Sequence, residues 1–177
     1  YAGLIHVRIQ ARKNMMLEVR SAMDIPDDYA KFAVRYREME AEGHPMYMLE
    51  SDATSRLGYR RGAATSSFLF EGNLIKPMYD EATHELYFSL PIKEGETFCF
   101  SLIGSVCSSR DFLDPFNEAE RQVIYAIHEG REALMQAHYR LWNELWQSDV
   151  RIEGDDNAQR IVRFALFNLY ASCRAGS

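Results

Sequence analysis

The stretch from Thr97 to Glu120, TFCFSLIGSVCSSRDFLDPFNEAE, changes its period half-way along. From Thr97 to Cys107, Phe98, Phe100 and Leu102 fall on one face and Cys99, Ser101 and Ile103 on the other, the period of two that belongs to a strand. A few residues later Asp114 offers a helix N-cap, and Pro115 stands at the first helical position, where its missing N–H costs nothing. Asn117 and Glu120 have the spacing of a capping box, with Asn in place of the usual Ser or Thr. Strand reading lies before this seam and helix reading after it. The segment therefore predicts an α+β chain: an antiparallel β-sandwich region over 1–113, a helical linker over 114–148, and the start of a helical domain over 149–177.

Towards the N-terminus, Leu4, His6, Arg8 and Gln10 alternate with Ile5, Val7 and Ile9, a half-buried strand. Lys13-Asn14 reads as a turn into a second strand over Met15–Val19, so a hairpin is expected. Asp24 to Glu42 allows two readings. Ile25-Pro26-Asp27-Asp28 opens a short helix carrying Tyr29, Phe32, Val34 and Tyr36, or the whole region is a charged surface insertion. Gly43-His44-Pro45 ends it. Met46–Leu49, Tyr59–Arg61 and Ser66–Glu71 read as strands, with a turn at Gly72-Asn73. His84–Leu90 and Thr97–Cys107 read as a strand pair joined by the loop Lys93-Glu94-Gly95-Glu96. Many short strands between turn signals indicate an antiparallel sandwich or part of one.

Towards the C-terminus, Val123, Ile124, Ile127, Leu134, Met135, His138, Leu141, Trp142 and Leu145 recur at helical spacings. A helix from Glu118 to Trp146 would be a strut on the order of 40 Å long. Gly130 interrupts it at a cost of about 1 kcal/mol relative to Ala and marks a kink or a break. Asp149–Ile152 reads as extended, Gly154 as a turn, and Asp156 with Gln159 as a second box-type cap. Ile161, Phe164, Ala165, Leu166, Phe167, Leu169 and Tyr170 then make a helix that is apolar around most of its circumference and expects cover on nearly all sides. With no later helix to supply that cover, and with ends at Tyr1-Ala2-Gly3 and Ala175-Gly176-Ser177, the chain reads as a piece of a longer protein. The isolated piece is expected to expose Phe164, Phe167 and Tyr170 and to self-associate.

The composition, 47% hydrophobic and 26% charged, is that of a globular chain. A net charge of −6 argues against nucleic acid as a partner, and no apolar run is long enough to span a bilayer. Cys99, Cys107 and Cys173 lack metal-site spacing, and Cys99 and Cys107 read as core thiols, a disulfide between them being conceivable but unsupported. His128 and His138 are ten positions apart, not the spacing of a two-His metal site. His6 and His84 fall in strands, and His138 suits packing on Trp142. Glu153, Asp155 and Asp156 precede a helix, where carboxylates cap free N–H groups more readily than they flank a substrate. Trp142 and Trp146, four apart, suit interdomain anchoring better than sugar stacking. Ser108, Ser109 and Asp111 have no base at a defined geometry. These residues yield an architecture, with no catalytic residue and no metal ligand.

Several stretches carry a resemblance. They are Glu94-Gly95-Glu96-Thr97-Phe98, Ser105-Val106-Cys107-Ser108-Ser109, Pro115-Phe116-Asn117-Glu118-Ala119-Glu120 and Glu129-Gly130, then His138, Trp142 and Leu145-Trp146. The most specific are Ser148-Asp149-Val150-Arg151-Ile152-Glu153-Gly154-Asp155, Ala158-Gln159-Arg160 and Arg163-Phe164-Ala165-Leu166-Phe167-Asn168-Leu169-Tyr170. From Phe98 onward the chain resembles glycoside hydrolase family 65, whose members cleave α-linked glucose disaccharides by hydrolysis or phosphorolysis. The first 97 residues fit that family's N-terminal β-sandwich more loosely. The resemblance implies a parent with a sandwich, a helical linker and an (α/α)6 barrel, of which 149–177 would be a truncated start. It implies inverting chemistry with a Glu general acid beyond Ser177, and no cofactor, inorganic phosphate serving as co-substrate only in a phosphorylase. The implied partners are the α-glucosidic disaccharide and the remainder of the barrel, and a homo-oligomer is left open. Arg163, Phe164 and Asn168 are the candidates for lining a substrate pocket, with helix packing as the competing role. The wording of Phe164–Tyr170 leans to the hydrolase-like bacterial members. Cytoplasmic and periplasmic or secreted locations are equally compatible. A stand-alone carbohydrate-binding or docking module is the alternative.

Overall fold

The structure, a computed structural model, describes residues 2–23, 29–41, 43–72 and 75–172. It forms two compact units that divide between Arg131 and Glu132.

The first unit is built from eight antiparallel strands: β1 (Ala2–Gln10), β2 (Met15–Ala22), β3 (Tyr29–Ala41), β4 (His44–Ser55), β5 (Arg61–Phe70), β6 (Met78–Asp80), β7 (Glu85–Ile92) and β8 (Thr97–Ser108). They form a five-stranded sheet in the order β1-β8-β5-β4-β3 and a three-stranded sheet in the order β2-β7-β6. The inward faces meet over Leu49, Phe68, Leu86, Phe88 and Phe100, with Val7, Ile9, Val19, Phe70 and Phe98 packed around them. Phe88 is the hub. Its ring meets Phe68, Phe70 and Phe100 edge to face, at centroid distances of 5.0, 5.0 and 5.4 Å.

Neither expected hairpin forms. β1 pairs with β8, β2 pairs with β7, and each connection crosses from one sheet to the other. The turn residues explain this. Ala11 N–H donates to the Glu96 carbonyl, Gly95 N–H donates to the Ala11 carbonyl, and Glu94 N–H donates to Asn14 Oδ1. The two crossing loops thus bond to each other side by side. Crossing sets Ile9 and Phe98 of one sheet against Leu17, Leu90 and Ile92 of the other, burial that a flat hairpin would not give.

Residues 29–41 form a strand, not the helix or insertion expected. β3 pairs with β4 from Tyr29↔Ser55 to Ala41↔His44, and Gly43 turns between them at φ 77°. Phe32, Val34 and Tyr36 are partly buried, whereas Lys31, Arg35 and Arg37 are exposed. The spacing of Tyr29, Phe32 and Tyr36 mimicked a helix, but the alternation of 32, 34 and 36 with cations is that of a charged edge strand. Ile25–Asp28, Asn73 and Cys173 lie outside the described residues. His84 sits in the turn before β7 at φ 55°, not in a strand.

The expected long helix is α1 (Pro115–Leu145), and its first segment, up to Gly130, lies on the outer face of the five-stranded sheet. Ala119, Val123 and Ala126 are buried, and Ala119 packs on Ala63 and Cys107 beside Phe112 and Phe116. β8 is therefore covered on both faces, and Ser101, Ser105 and Cys107 give small side chains beside the buried Ile103 on the helix-facing side. Asp114 is the cap: its Oδ1 accepts from Asn117 N–H at 3.2 Å. Glu120 takes no part in a capping box, because it reaches Arg37 of β3. Gly130, at φ 77° and ψ 164°, breaks α1 into two helical segments. Cys99 and Cys107 are free thiols.

The second unit holds the second segment of α1, a short 3-10 turn (Trp146–Ser148) and α2 (Asp156–Ser172). The cap of α2 is Asp155, one residue before the expected Asp156. Its Oδ1 accepts from the N–H groups of Asn157 and Ala158 at 2.9 and 3.0 Å. Gln159 instead bonds the preceding loop, accepting from Ile152 N–H and donating to the Val150 carbonyl.

Candidate functional site

Within the second unit, two aromatic contacts hold α2 to the end of α1. Trp142 stacks on Phe167 at 5.3 Å, and Trp146 meets Tyr170 edge to face at 5.7 Å. His138 packs against Trp142 at 6.1 Å. The two tryptophans thus spend their faces on α2 and on each other, the latter at 6.4 Å.

The sequence candidates gather near these rings, in an open depression of about 600 Å³ lined by Asn143, Trp146, Asp149, Arg163, Phe164 and Phe167. Arg163 is engaged from within: its Nη2 and Nε donate to Asp149 Oδ2 at 2.6 and 3.1 Å. The guanidinium holds the Asp149 carboxyl below its usual range, and the carboxylate in turn raises Arg163. Phe164 is 69% exposed and offers a free ring face. Asn168 is not on the lining; its amide donates to the Phe164 carbonyl one turn back at 2.8 Å. The depression therefore joins a fixed cation–carboxylate pair to an apolar ring, a surface suited to a polar, C–H-rich ligand or to a neighbouring helix. Sequence reasoning picked out Arg163 and Phe164 as site candidates but not Asp149, which it named only within the extended segment Asp149–Ile152 and the Ser148–Asp155 stretch that carries the resemblance.

No residue of α2 is buried, and Ile161, Phe164, Phe167 and Leu169 are exposed at 46–69%. The apolar circumference read from the sequence is thus on the surface of this unit.

The first unit holds a different cluster, which the sequence did not signal. Glu50 of β4 is 2% exposed, on the outer face beneath α1. Arg37 Nη1 lies 2.7 Å from Glu120 Oε1 and 4.0 Å from Glu50 Oε1. Burial first, then the neighbouring Glu120, push the Glu50 carboxyl above its usual range. These groups lie between sheet and helix. A shallow depression of about 240 Å³ at Phe112, Leu113, Asp114, Asn117, Glu118 and Arg121 holds the helix cap. Among the described residues no three His, Cys, Asp or Glu side chains are grouped as metal ligands, and no helix is long and apolar enough to cross a membrane.

No family model matches the chain. It is 34% identical over 183 residues to the kojibiose hydrolase of Mucilaginibacter mallensis, which covers 100% of this chain and 27% of that protein. It is 36% identical over 174 residues to the kojibiose hydrolase of Flavobacterium johnsoniae, covering 95% of this chain and 26% of that protein. Proteins named nigerose, kojibiose and maltose phosphorylase match less than half of the chain. A solved structure provisionally named a kojibiose phosphorylase, from the human microbiome, shares the fold. Its TM-score is 0.68 at 13% identity, over 95% of this chain and 23% of that one. This chain thus spans about a quarter of the length of the relatives it matches. With its crossed sandwich, its helix-covered sheet and this agreement along nearly its whole length, the chain is a glycoside hydrolase family 65-like segment corresponding to the N-terminal part of these relatives.

Proposed function

We propose that this chain is the non-catalytic N-terminal part of a family 65 protein that hydrolyses kojibiose to glucose without phosphate. The observation that supports this reading is the agreement in sequence of two kojibiose hydrolases with essentially the whole chain, where the named phosphorylases agree in sequence with less than half of it. On this reading 1–113 is the sandwich region, 114–148 the linker and 149–177 the start of the barrel. The Glu acid and the carboxylate base that activates water lie in the rest of the protein. The apolar flank of α2, with Phe164 and Phe167, packs against further barrel helices, and the Asp149–Arg163 pair holds the loop before α2 in place.

The test is the product of the complete gene, incubated with kojibiose, nigerose, maltose and trehalose, with and without phosphate. Phosphate-independent release of glucose, with kojibiose as the best substrate, is the expected result. Phosphate-dependent formation of glucose 1-phosphate would assign a phosphorylase instead. Sugar binding by residues 1–177 with no turnover by the complete product would point to a stand-alone binding module.

A further inference from the structure

The interface between α1 and the five-stranded sheet carries an imbalance of charge. Its outward-facing residues are mostly apolar or small: Met48, Ala63, Thr65, Ile103, Ser105 and Cys107 from the sheet, with Ala119 and Val123 from the helix. Into this layer come two carboxyls, Glu50 from β4 and Glu120 from α1, and one guanidinium within ion-pair distance of both, Arg37 from β3. Arg37 is committed to Glu120 at 2.7 Å and only grazes Glu50 at 4.0 Å. Arg35, which pairs opposite Glu50 and whose charge also favours the ionised form of Glu50, is committed to Asp52 at 2.8 Å and lies over the Phe116 ring at 4.5 Å. β5 and β8 present Thr65, Ser105 and Cys107, and α1 presents Gln122, whose Oε1 accepts from Ser105 Oγ. Glu50 Oε1 is buried with no hydrogen-bond partner among the described residues. A carboxylate in such a place is costly, whereas a neutral carboxyl is tolerated.

We propose that Arg37, Glu50 and Glu120 form a pH-sensitive latch between sheet and helix, in which Glu50 keeps its proton for as long as the first segment of α1 lies on the sheet. Rising pH strips that proton and sets a second buried negative charge beside Glu120, with no cation but Arg37 within ion-pair distance of Glu50 among the described residues. The direction follows from linkage. A carboxyl whose value is raised in the folded state contributes stability that is fully present below its unfolded value and lost as pH rises through the folded value. The docking of the first segment of α1 on β3, β4, β5 and β8 therefore weakens as pH rises above the ordinary carboxylate range. Asp149, which Arg163 holds below its usual range, acts in the opposite direction.

The experiment is urea unfolding of the full 177-residue chain across mildly acidic to mildly alkaline pH. It is read together with hydrogen exchange at the amides of Ala119, Glu120 and Val123. In the native chain the midpoint is expected to shift downward, and exchange at these amides to quicken, as pH rises. Glu50→Gln keeps the shape, removes the titrating group and should flatten both dependences. Glu120→Gln removes the repelling neighbour and frees Arg37 for Glu50, so the same transition should move to lower pH. A Glu50→Gln chain whose midpoint and exchange depend on pH as steeply as in the native chain would overturn the latch. So would a titration of the labelled Glu50 carboxyl, followed by NMR in the native chain, that showed it ionising in the ordinary carboxylate range.

Discussion

Replacing Phe88 by alanine removes the ring on which the sandwich closes. Phe88 is 1% exposed and meets Phe68, Phe70, Phe98 and Phe100, two of them at 5.0 Å. Its neighbours come from β5 and β8 of the opposite sheet, which the backbone hydrogen bonds of both sheets hold in register. They cannot collapse into the gap without breaking those ladders, so the site relaxes little. A phenylalanine truncated in such a place costs about 3–5 kcal/mol, transfer and cavity together. Edge-to-face pairs are each worth about 0.5–1.5 kcal/mol beyond area, but one ring shared among several pairs does not give them additively. An expected loss of about 4 kcal/mol is a large share of the stability of a domain this size. Phe88→Leu keeps most of the volume and should cost less than about 1.5 kcal/mol. Urea unfolding gives the free energies, and hydrogen exchange on β5, β7 and β8 shows where they act. A loss below about 1 kcal/mol for Phe88→Ala, or equal losses for both variants, would show that the rings are not the closing contact.

At Gly130, alanine would have to hold a φ of 77° with an extended ψ, a region that is essentially restricted to glycine, although nothing lies within 4 Å of the added Cβ. Gly130→Ala should therefore lower thermal stability by about 1–3 kcal/mol, whereas an uninterrupted helix would gain from it. Asp149 is held below the usual carboxylate range by Arg163, so its contribution is present above that range and lost as pH falls through the depressed value. Asp149→Asn should remove that part of the acid-side loss, as read from thermal midpoints in an acid series. Cys107 is buried and Cys99 only partly so. A thiol reagent on the native chain should modify Cys99 well before Cys107, as located by peptide mass, and equal rates would contradict the covering of β8 by α1.

Much of this architecture was legible in the sequence, for physical reasons that differ by element. The seam at Asp114-Pro115 could be read because an N-cap and a first-turn proline are local chemistry, and the break at Gly130 because glycine is. β3 could not be read as easily. Its charges face solvent and the helix-bearing side, so a true period of two looked like polar noise, and three aromatic or apolar residues at helical spacing filled the gap. Strand pairing was misjudged because sequence proximity favours hairpins, whereas the loops at 11–14 and 93–96 bond to each other. At the candidate site, Arg163 and Phe164 stood out by residue type and helix face. Their partner Asp149 lies in the irregular loop before α2, which has no period to read, and in the Arg37–Glu50–Glu120 cluster only tertiary structure brings Glu120 of α1 to the two strands.

The crossed topology also orders events in time. His6 of β1 meets Ser101 of β8, 95 residues further on. At about 5–20 residues per second, a nascent chain waits roughly 5–20 s between making the two. The meander β3-β4-β5 needs only its own short turns and can close while β1 and β2 still lack β8 and β7. During synthesis Val7, Ile9, Leu17 and Val19 are left as unpaired, apolar strand, the kind of segment that holding chaperones bind. A ribosome stalled before Glu85 would hold a chain with both of these strands bare, so slow codons ahead of β7 should raise aggregation more than slow codons after Ser108.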